Sequence, residues 1–254
     1  MKKENILYFD IETSHAIAAV YQLGKQYVGH TQVLKDRKIL TIAYVWNNDK
    51  KPTVLTLNLN KHDITKFDDD ADKEMLVRFM QQYSKADVVV AHNGRRFDIA
   101  RLAGRLLQLN LPPITPMLID DTYTMTKGLD VLSHKLDYLG RSLGLGQKIK
   151  VDIDLWIDIV WYKSKKALKQ MATYNKNDVI LLRKIYQTML PYVKSNLNKS
   201  MFTVGDRCPR CKGKLRSKGY YRTQISEYRR YRCNNCHAYC RDPARLYSAS
   251  KRLL

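Results

Sequence analysis

Two carboxylates one residue apart, at the end of an apolar run, constrain this chain more than any other feature. Ile6, Leu7, Tyr8 and Phe9 lead into Asp10-Ile11-Glu12-Thr13-Ser14. Four large apolar residues in a row read as a buried strand. Side chains two apart on a strand share a face, so Asp10 and Glu12 project together. Their Cα atoms lie about 7 Å apart, and carboxylates at that spacing can converge on two cations about 4 Å apart. By itself Asp-x-Glu is more often a solvated strand end, so the weight falls on what accompanies it.

Charge narrows the class of partner. The chain holds 45 Lys and Arg against 24 Asp and Glu, a net charge of +21. That exceeds what solubility requires and favours a polyanion, nucleic acid before membrane. The excess is uneven: Ser195 to Leu254 carries 15 Lys and Arg against 3 Asp and Glu. No apolar run is long enough to span a bilayer. Met1-Lys2-Lys3-Glu4-Asn5 runs straight into the strand pattern without a signal-peptide core, so a cytoplasmic location is expected. All five cysteines lie between Cys208 and Cys240. An odd number arranged as Cys-x-x-Cys pairs argues for metal in a reducing compartment over a disulfide framework.

Along the chain, His15 to Lys38 shows no sustained period and reads as a long excursion. Ile39 to Trp46 and Thr53 to Leu59 read as the second and third strands of a meander begun by the first motif. Asp68-Asp69-Asp70 and Asp72 resemble a metal site, but the simpler expectation is an N-cap and acidic first turn for a helix over Ala71 to Lys85. Val88-Val89-Val90 marks a buried central strand over Asp87 to Ala91, and Leu118-Ile119 another short strand. Helices are expected over Phe97 to Leu109, Ser133 to Leu143, Asp154 to Tyr162 and Ser164 to Leu190. The fold class is therefore α/β, a mixed sheet flanked by helices.

Two further acids fall at chosen places on that frame. His92-Asn93-Gly94-Arg95-Arg96-Phe97-Asp98 puts Asp98 in the first turn of a helix that follows a buried strand, and sites form at the C-terminal ends of such strands. Asn93 serves either as a turn residue or to orient Asp98 or a bound strand. Arg95 and Arg96 either grip phosphate or form a solvated helix start. Tyr174 and Asp178 are four apart in an apolar-periodic helix and share a face.

Taken in order, Phe9-Asp10-Ile11-Glu12-Thr13, His92-Asn93-(x3)-Phe97-Asp98 and Tyr174-(x3)-Asp178 resemble the three exonuclease motifs of the DEDD superfamily. These are DnaQ-like 3′→5′ exonucleases with a ribonuclease-H-like fold. The resemblance covers residues 4 to 193 and runs toward stand-alone phage and bacterial exonucleases related to the proofreading domain of family B polymerases. Leu136-Asp137-Tyr138-Leu139-Gly140 and Leu143-Gly144-Leu145 look like the same branch. Tyr174 implies the Tyr subtype, because Thr173 stands where the His subtype carries its histidine. The resemblance implies an exonuclease domain over 1–193 that releases nucleoside monophosphates from 3′ ends. It implies DNA before RNA as substrate, in bacterial cytoplasm or, for a phage-encoded protein, in the host's. Four carboxylates in one site need cations among them, and hard oxygen ligands suit two Mg²⁺ or Mn²⁺ ions. By resemblance Asp10 bridges both ions, Glu12 and Asp178 hold the water-bearing ion, and Asp98 serves the second. Tyr174 orients the nucleophilic water, and Thr13 and Ser14 contact the terminal nucleotide. A ribonuclease on the same core is the next reading, and a nucleic-acid-binding adaptor with a vestigial core the one after.

The last quarter carries a separate signal. Cys208-Pro209-Arg210-Cys211 and Cys233-Asn234-Asn235-Cys236 have the spacing of a structural, tetrahedral Zn²⁺ site of zinc-ribbon type. The expected organisation is a linker over 194–204, a ribbon over 205–245 and a basic tail over 246–254. Between the pairs, Tyr220-Tyr221 and Tyr228-Arg229-Arg230-Tyr231-Arg232 read as an Arg- and Tyr-rich hairpin. Tyr220, Arg229 and Arg230 are its candidate nucleic-acid contacts, through stacking and phosphate binding. Docking a replication or repair protein is the alternative use of the same module.

Overall fold

The computed structural model describes residues 3–66 and 69–251. Asp68 of the acidic run and residues 252–254 of the basic tail lie outside them. The chain forms two compact units, Asn5–Tyr186, and Gln187–Leu254 with Met1–Glu4. The division falls inside the last helix, ahead of the boundary expected at 193.

In the larger unit, β1 spans Ile6–Thr13, β2 Ile17–Ala18, β3 Val33–Lys35, β4 Ile39–Trp46 and β5 Thr53–Thr56. Then come α1 (Lys73–Tyr83), β6 (Val88–Ala91), α2 (Asp98–Gln108), β7 (Leu118–Asp121), α3 (Thr122–Thr126), α4 (Leu136–Ser142), α5 (Asp154–Val160) and α6 (Lys165–Met189). A five-stranded sheet runs β5-β4-β1-β6-β7. The expected antiparallel meander β1–β4–β5 forms one half. The other half is parallel, β1 with β6 and β6 with β7. Chain reversals made through α1 and α2 demand parallel pairing there. The excursion over residues 15–38 holds a two-stranded β2–β3 sheet that its sequence did not announce.

Alternation along β1 decides what the two sheet faces carry. Leu7, Phe9 and Ile11 face one way and form a core with Met75, Leu76, Phe79 and Tyr83 of α1 and Leu102 and Leu106 of α2. Phe9 sits 5.3 Å from the Phe79 ring centre and 6.0 Å from that of Tyr83. Tyr8 points the other way and meets Tyr186 of α6 edge-on at 5.5 Å. Asp10 and Glu12 share the parity of Tyr8, so they belong to the α6 face. A second apolar cluster joins Leu40 and Leu57 to Leu155 and Ile159 of α5 and to Ala167, Leu168, Met171 and Tyr174 of α6. Helices thus cover both faces of a mixed α/β sheet.

The acidic run before α1 corrects the sequence reading. Asp72 occupies the N-cap position without a side-chain capping bond. It is fully buried instead and receives the Arg105 guanidinium through Nε and Nη2 at 2.9–3.1 Å, together with the Ile39 amide at 3.1 Å. Asp69 takes His62 Nδ1 at 2.8 Å, Lys35 Nζ at 3.3 Å and the amides of Asp63 and Ala71. These acids neutralise buried cations contributed by β3 and α2, which no local pattern could show.

In the smaller unit, β8 spans Leu215–Arg222, β9 Ser226–Cys233, β10 Tyr239–Arg241 and β11 Tyr247–Ser248. β9 is central, antiparallel to β8 on one side and to β10 and β11 on the other. β11 lies within the stretch read as a basic tail, and one 3₁₀ turn, Lys199–Phe202, within the stretch read as a linker. Among the described residues, no helix is long and apolar enough to cross a membrane.

Candidate active site

At the end of β1, carboxylate oxygens of Asp10, Glu12 and Asp178 lie within 4.8 Å of one another. Asp10 and Glu12 come from alternate positions of β1, and Asp178 comes from the buried stripe of α6. Asp98 joins them through the backbone. Its Oδ1 accepts the amide of Ile11, the residue between Asp10 and Glu12, at 3.0 Å. That bond ties the start of α2 to β1. Gly94 makes the approach possible: a Cβ there would stand 2.3 Å from the Ala91 Cβ and 3.6 Å from Asp98 Oδ2. Asp121 at the end of β7 holds the same turn, accepting the amides of Asn93 and Arg95 at 2.8 and 3.1 Å.

Four acids this close suppress one another's ionisation. Burial, then Asp98, Glu12 and Asp178, raise the Asp10 pKa well above the carboxylate range. Burial pushes Glu12 up to about 8, with Asp178 and Asp98 adding to it and Lys148 opposing. Burial pushes Asp98 up to about 7 against the Ile11 amide. Asp178 is raised by burial, while Lys148 and Tyr174 pull the other way. The Lys148 ammonium stands 2.6 Å from Asp178 Oδ2 and 5.1 Å from the Tyr174 ring centre. Lys148 and Tyr174 thus both act on the Asp178 carboxylate, whose two oxygens are buried. Burial disfavours the Lys148 charge, but Asp178 and Asp10 outweigh it and raise its pKa above the ordinary lysine range.

A surplus of buried, mutually repelling acid is the chemistry of a divalent-cation site. Asp10, Glu12 and Asp178 have the donor type and spacing for Mg²⁺ or Mn²⁺, and Lys148 offsets only part of their charge. Asn175, which the sequence reading did not single out, donates Nδ2 to Asp10 Oδ2 at 2.6 Å and accepts the Thr41 hydroxyl at 3.0 Å. Both Asn175 and Asp178 are 0 % exposed. Two buried polar residues in the apolar stripe of α6 were the available signal. Lys148 had none, being one of many lysines in a loop. Trp156 also went unremarked; it meets Tyr174 edge-on at 6.4 Å and donates Nε1 to the Thr13 carbonyl at 3.0 Å. Burial pushes the Tyr174 phenol up to about 12.

The remaining candidates divide. Thr13 adjoins the acids at the end of β1. Ser14 is buried, and its hydroxyl accepts the Lys38 amide at 2.8 Å. Asn93 adopts a left-handed turn, φ 60°. Arg95 donates Nη2 to the Ile119 carbonyl at 3.0 Å, and Arg96 is exposed.

In the smaller unit the Sγ atoms of Cys208, Cys211, Cys233 and Cys236 lie within 4.8 Å of one another. Cys208 to Cys236 is 3.7 Å and Cys211 to Cys233 is 3.4 Å. A tetrahedron with Zn–S of about 2.3 Å has an S–S edge of about 3.8 Å, so the four thiols fit Zn²⁺. Asn235 directs its amide at Cys233 Sγ and its Nδ2 at Cys211 Sγ, as sulfur ligands require of a second layer. A Cβ on Gly213 would stand 2.8 Å from Cys233 Sγ. Cys240 stands apart, half-buried, its thiol pushed up to about 11 by burial.

Comparison with curated proteins finds no match. Among solved structures, the chain is similar to the family B DNA polymerase of the hyperthermophilic archaeon Pyrobaculum calidifontis, with a TM-score of 0.53 and 15% identity. The likeness covers 75% of this chain and only 25% of that polymerase, and at this identity it establishes the fold. A family model described as the RNase H superfamily matches residues 31–190, which include Asp98, Tyr174 and Asp178 but begin beyond Asp10 and Glu12. That span exceeds half of the chain, and the larger unit has a mixed sheet flanked by helices: the protein belongs to the RNase H superfamily.

Proposed function

We propose that this protein is a metal-dependent 3′→5′ exonuclease of the Tyr-subtype DEDD kind, acting on single-stranded or frayed 3′ ends of DNA and releasing nucleoside monophosphates. One observation carries the reading: Asp10, Glu12 and Asp178 converge beside Asp98, although they come from segments far apart in the chain. Asp10, Glu12, Asp98 and Asp178 would hold two Mg²⁺ or Mn²⁺ ions, which supply an activated water and neutralise charge on the leaving oxygen. Asn175, braced by Thr41, fixes the Asp10 carboxylate. The Tyr174 phenol stays protonated at neutral pH, so it orients water by a hydrogen bond and does not remove its proton. Trp156 and Lys148 hold that ring in place. Lys148 also offers the site a cation for substrate phosphate. Cys208, Cys211, Cys233 and Cys236 would hold one structural Zn²⁺, and the Arg- and Tyr-rich hairpin they support would help hold the nucleic acid.

The test uses 5′-labelled single- and double-stranded DNA and RNA, with Mg²⁺, Mn²⁺ or EDTA, resolved to single nucleotides. A ladder shortening from the 3′ end, faster on DNA and absent in EDTA, is expected. Asp10→Asn should lower the rate at least about 1,000-fold with little change in melting temperature. Internal fragments, or wild-type degradation by Asp10→Asn, would sink the proposal.

A further inference from the structure

The strand register of the smaller unit sorts its hairpin residues onto two unlike faces. Paired residues of neighbouring strands share a face, as do residues two apart on one strand. Tyr228, Arg230 and Arg232 of β9 therefore lie with Tyr221 and Arg216 of β8 and with Tyr239 and Arg241 of β10. The opposite face carries Arg229 with Tyr220, Tyr231 with Cys240, and Glu227 with Arg222. There the cationic charge is partly cancelled, since Glu227 pairs with Arg222. No strand residue of the first face is acidic.

The first face is also organised. Arg241 stacks 3.8 Å above the Tyr228 ring centre and 5.6 Å from that of Tyr221. Arg230 and Arg232 flank the Tyr239 ring at 5.6 and 5.8 Å. Each is pinned at Nε, Arg230 by the Lys218 carbonyl at 3.0 Å and Arg232 by the His237 carbonyl at 3.4 Å. Their remaining guanidinium N–H groups are thus pre-oriented. Tyr239 is 55% exposed and Tyr221 44%. From Tyr228 to Arg232 the row extends about 13 Å along β9.

We infer that this face, centred on Tyr239 and Arg241, binds single-stranded nucleic acid, with the arginines on phosphates and Tyr239 and Tyr221 stacking on bases. The inference rests on the nucleic-acid reading proposed above and refines it. Of the hairpin candidates legible in the sequence, Arg230 lies on the binding face, and Tyr220 and Arg229 on the other. A single strand is favoured because duplex bases offer no exposed ring to an aromatic residue.

The test reads binding without turnover, in the 254-residue chain loaded with zinc and carrying Asp10→Asn, by fluorescence anisotropy on labelled oligo-dT and oligo-U, and on a duplex of equal phosphate count. Two charge-matched pairs are compared, Arg230→Ala/Arg241→Ala and Arg222→Ala/Arg229→Ala, with zinc content as the check on folding. The first pair should weaken single-strand binding at least tenfold and flatten its log–log salt slope by about 1.4, at about 0.7 per phosphate contact. The second pair should change affinity less than threefold. Tyr239→Ala should weaken single strands about tenfold and duplex less than threefold. Arg230→Lys/Arg241→Lys keeps the charge and should recover part of the loss. Equal losses from both pairs, no loss from the first, or equal effects of Tyr239→Ala on both forms would overturn the inference. No such outcome bears on the nuclease reading, which is judged by product formation.

Discussion

Tyr174 shows how much a single group's environment decides. Its phenol stands against Lys148 and Trp156 with a pKa pushed up to about 12, so hydrogen-bond donation is open to it and proton removal is not. Tyr174→Phe should lower kcat about 100-fold through misplacement of the nucleophilic water, with Mn²⁺ affinity unchanged. A wild-type pH profile that climbs steadily between pH 9 and 11 would instead mark the phenol as the base. At this scale the sequence showed the acids and little of what holds them. Asp10, Glu12, Asp98, Tyr174 and Asp178 sit in short local patterns that reading along the chain can find. Asn175 reaches Asp10 across 165 positions and Thr41 across 134, and no local period encodes contacts of that range. Lys148 occupies a loop with no periodicity at all.

The elements were legible where one face is buried. β1, β4, β6, α2 and α6 follow apolar periods, and their ends fall within a few residues of expectation. The approach to α1 was not legible, because its acids answer cations brought by other elements. Burial works against Asp69's charge, but His62 and the amides of Asp63 and Ala71 more than compensate, holding its pKa well below the ordinary 3.8. A depressed acid pKa gives stability that is complete above the unfolded value and is lost as pH falls from there toward the folded one. Asp69→Asn should destabilise the larger unit by about 3–5 kcal/mol at pH 7, since it strands buried Lys35 and His62. It should also flatten the loss of stability below pH 4, as followed by urea unfolding. An unchanged acid limb would contradict the ion-pair assignment. In the smaller unit the described strands bury few large apolar residues, so a metal held by the four thiols would supply much of its folding energy. Chelation should abolish hydrogen-exchange protection over β8 and β9 while β1, β4 and β6 stay protected. Simultaneous loss in both units would count against independent folding.

Across the whole molecule, acid and base are segregated. A chain of net charge +21 concentrates four carboxylates at the end of β1 and places an arginine-rich face on the smaller unit. The basic excess attracts a polyanion, whereas the clustered acids suppress one another's ionisation and are stabilised as carboxylates by shared cations. On the proposed function, metal would therefore be needed at the acid cluster before the substrate can react. The most direct test of that claim is Mn²⁺ titration of the zinc-loaded protein by electron paramagnetic resonance, without substrate, for wild type and Asp178→Asn. Two Mn²⁺ per wild-type chain, with at least one lost or weakened more than tenfold in Asp178→Asn, is the expected result. A wild type that binds no Mn²⁺, or a variant that binds it as wild type does, would contradict it.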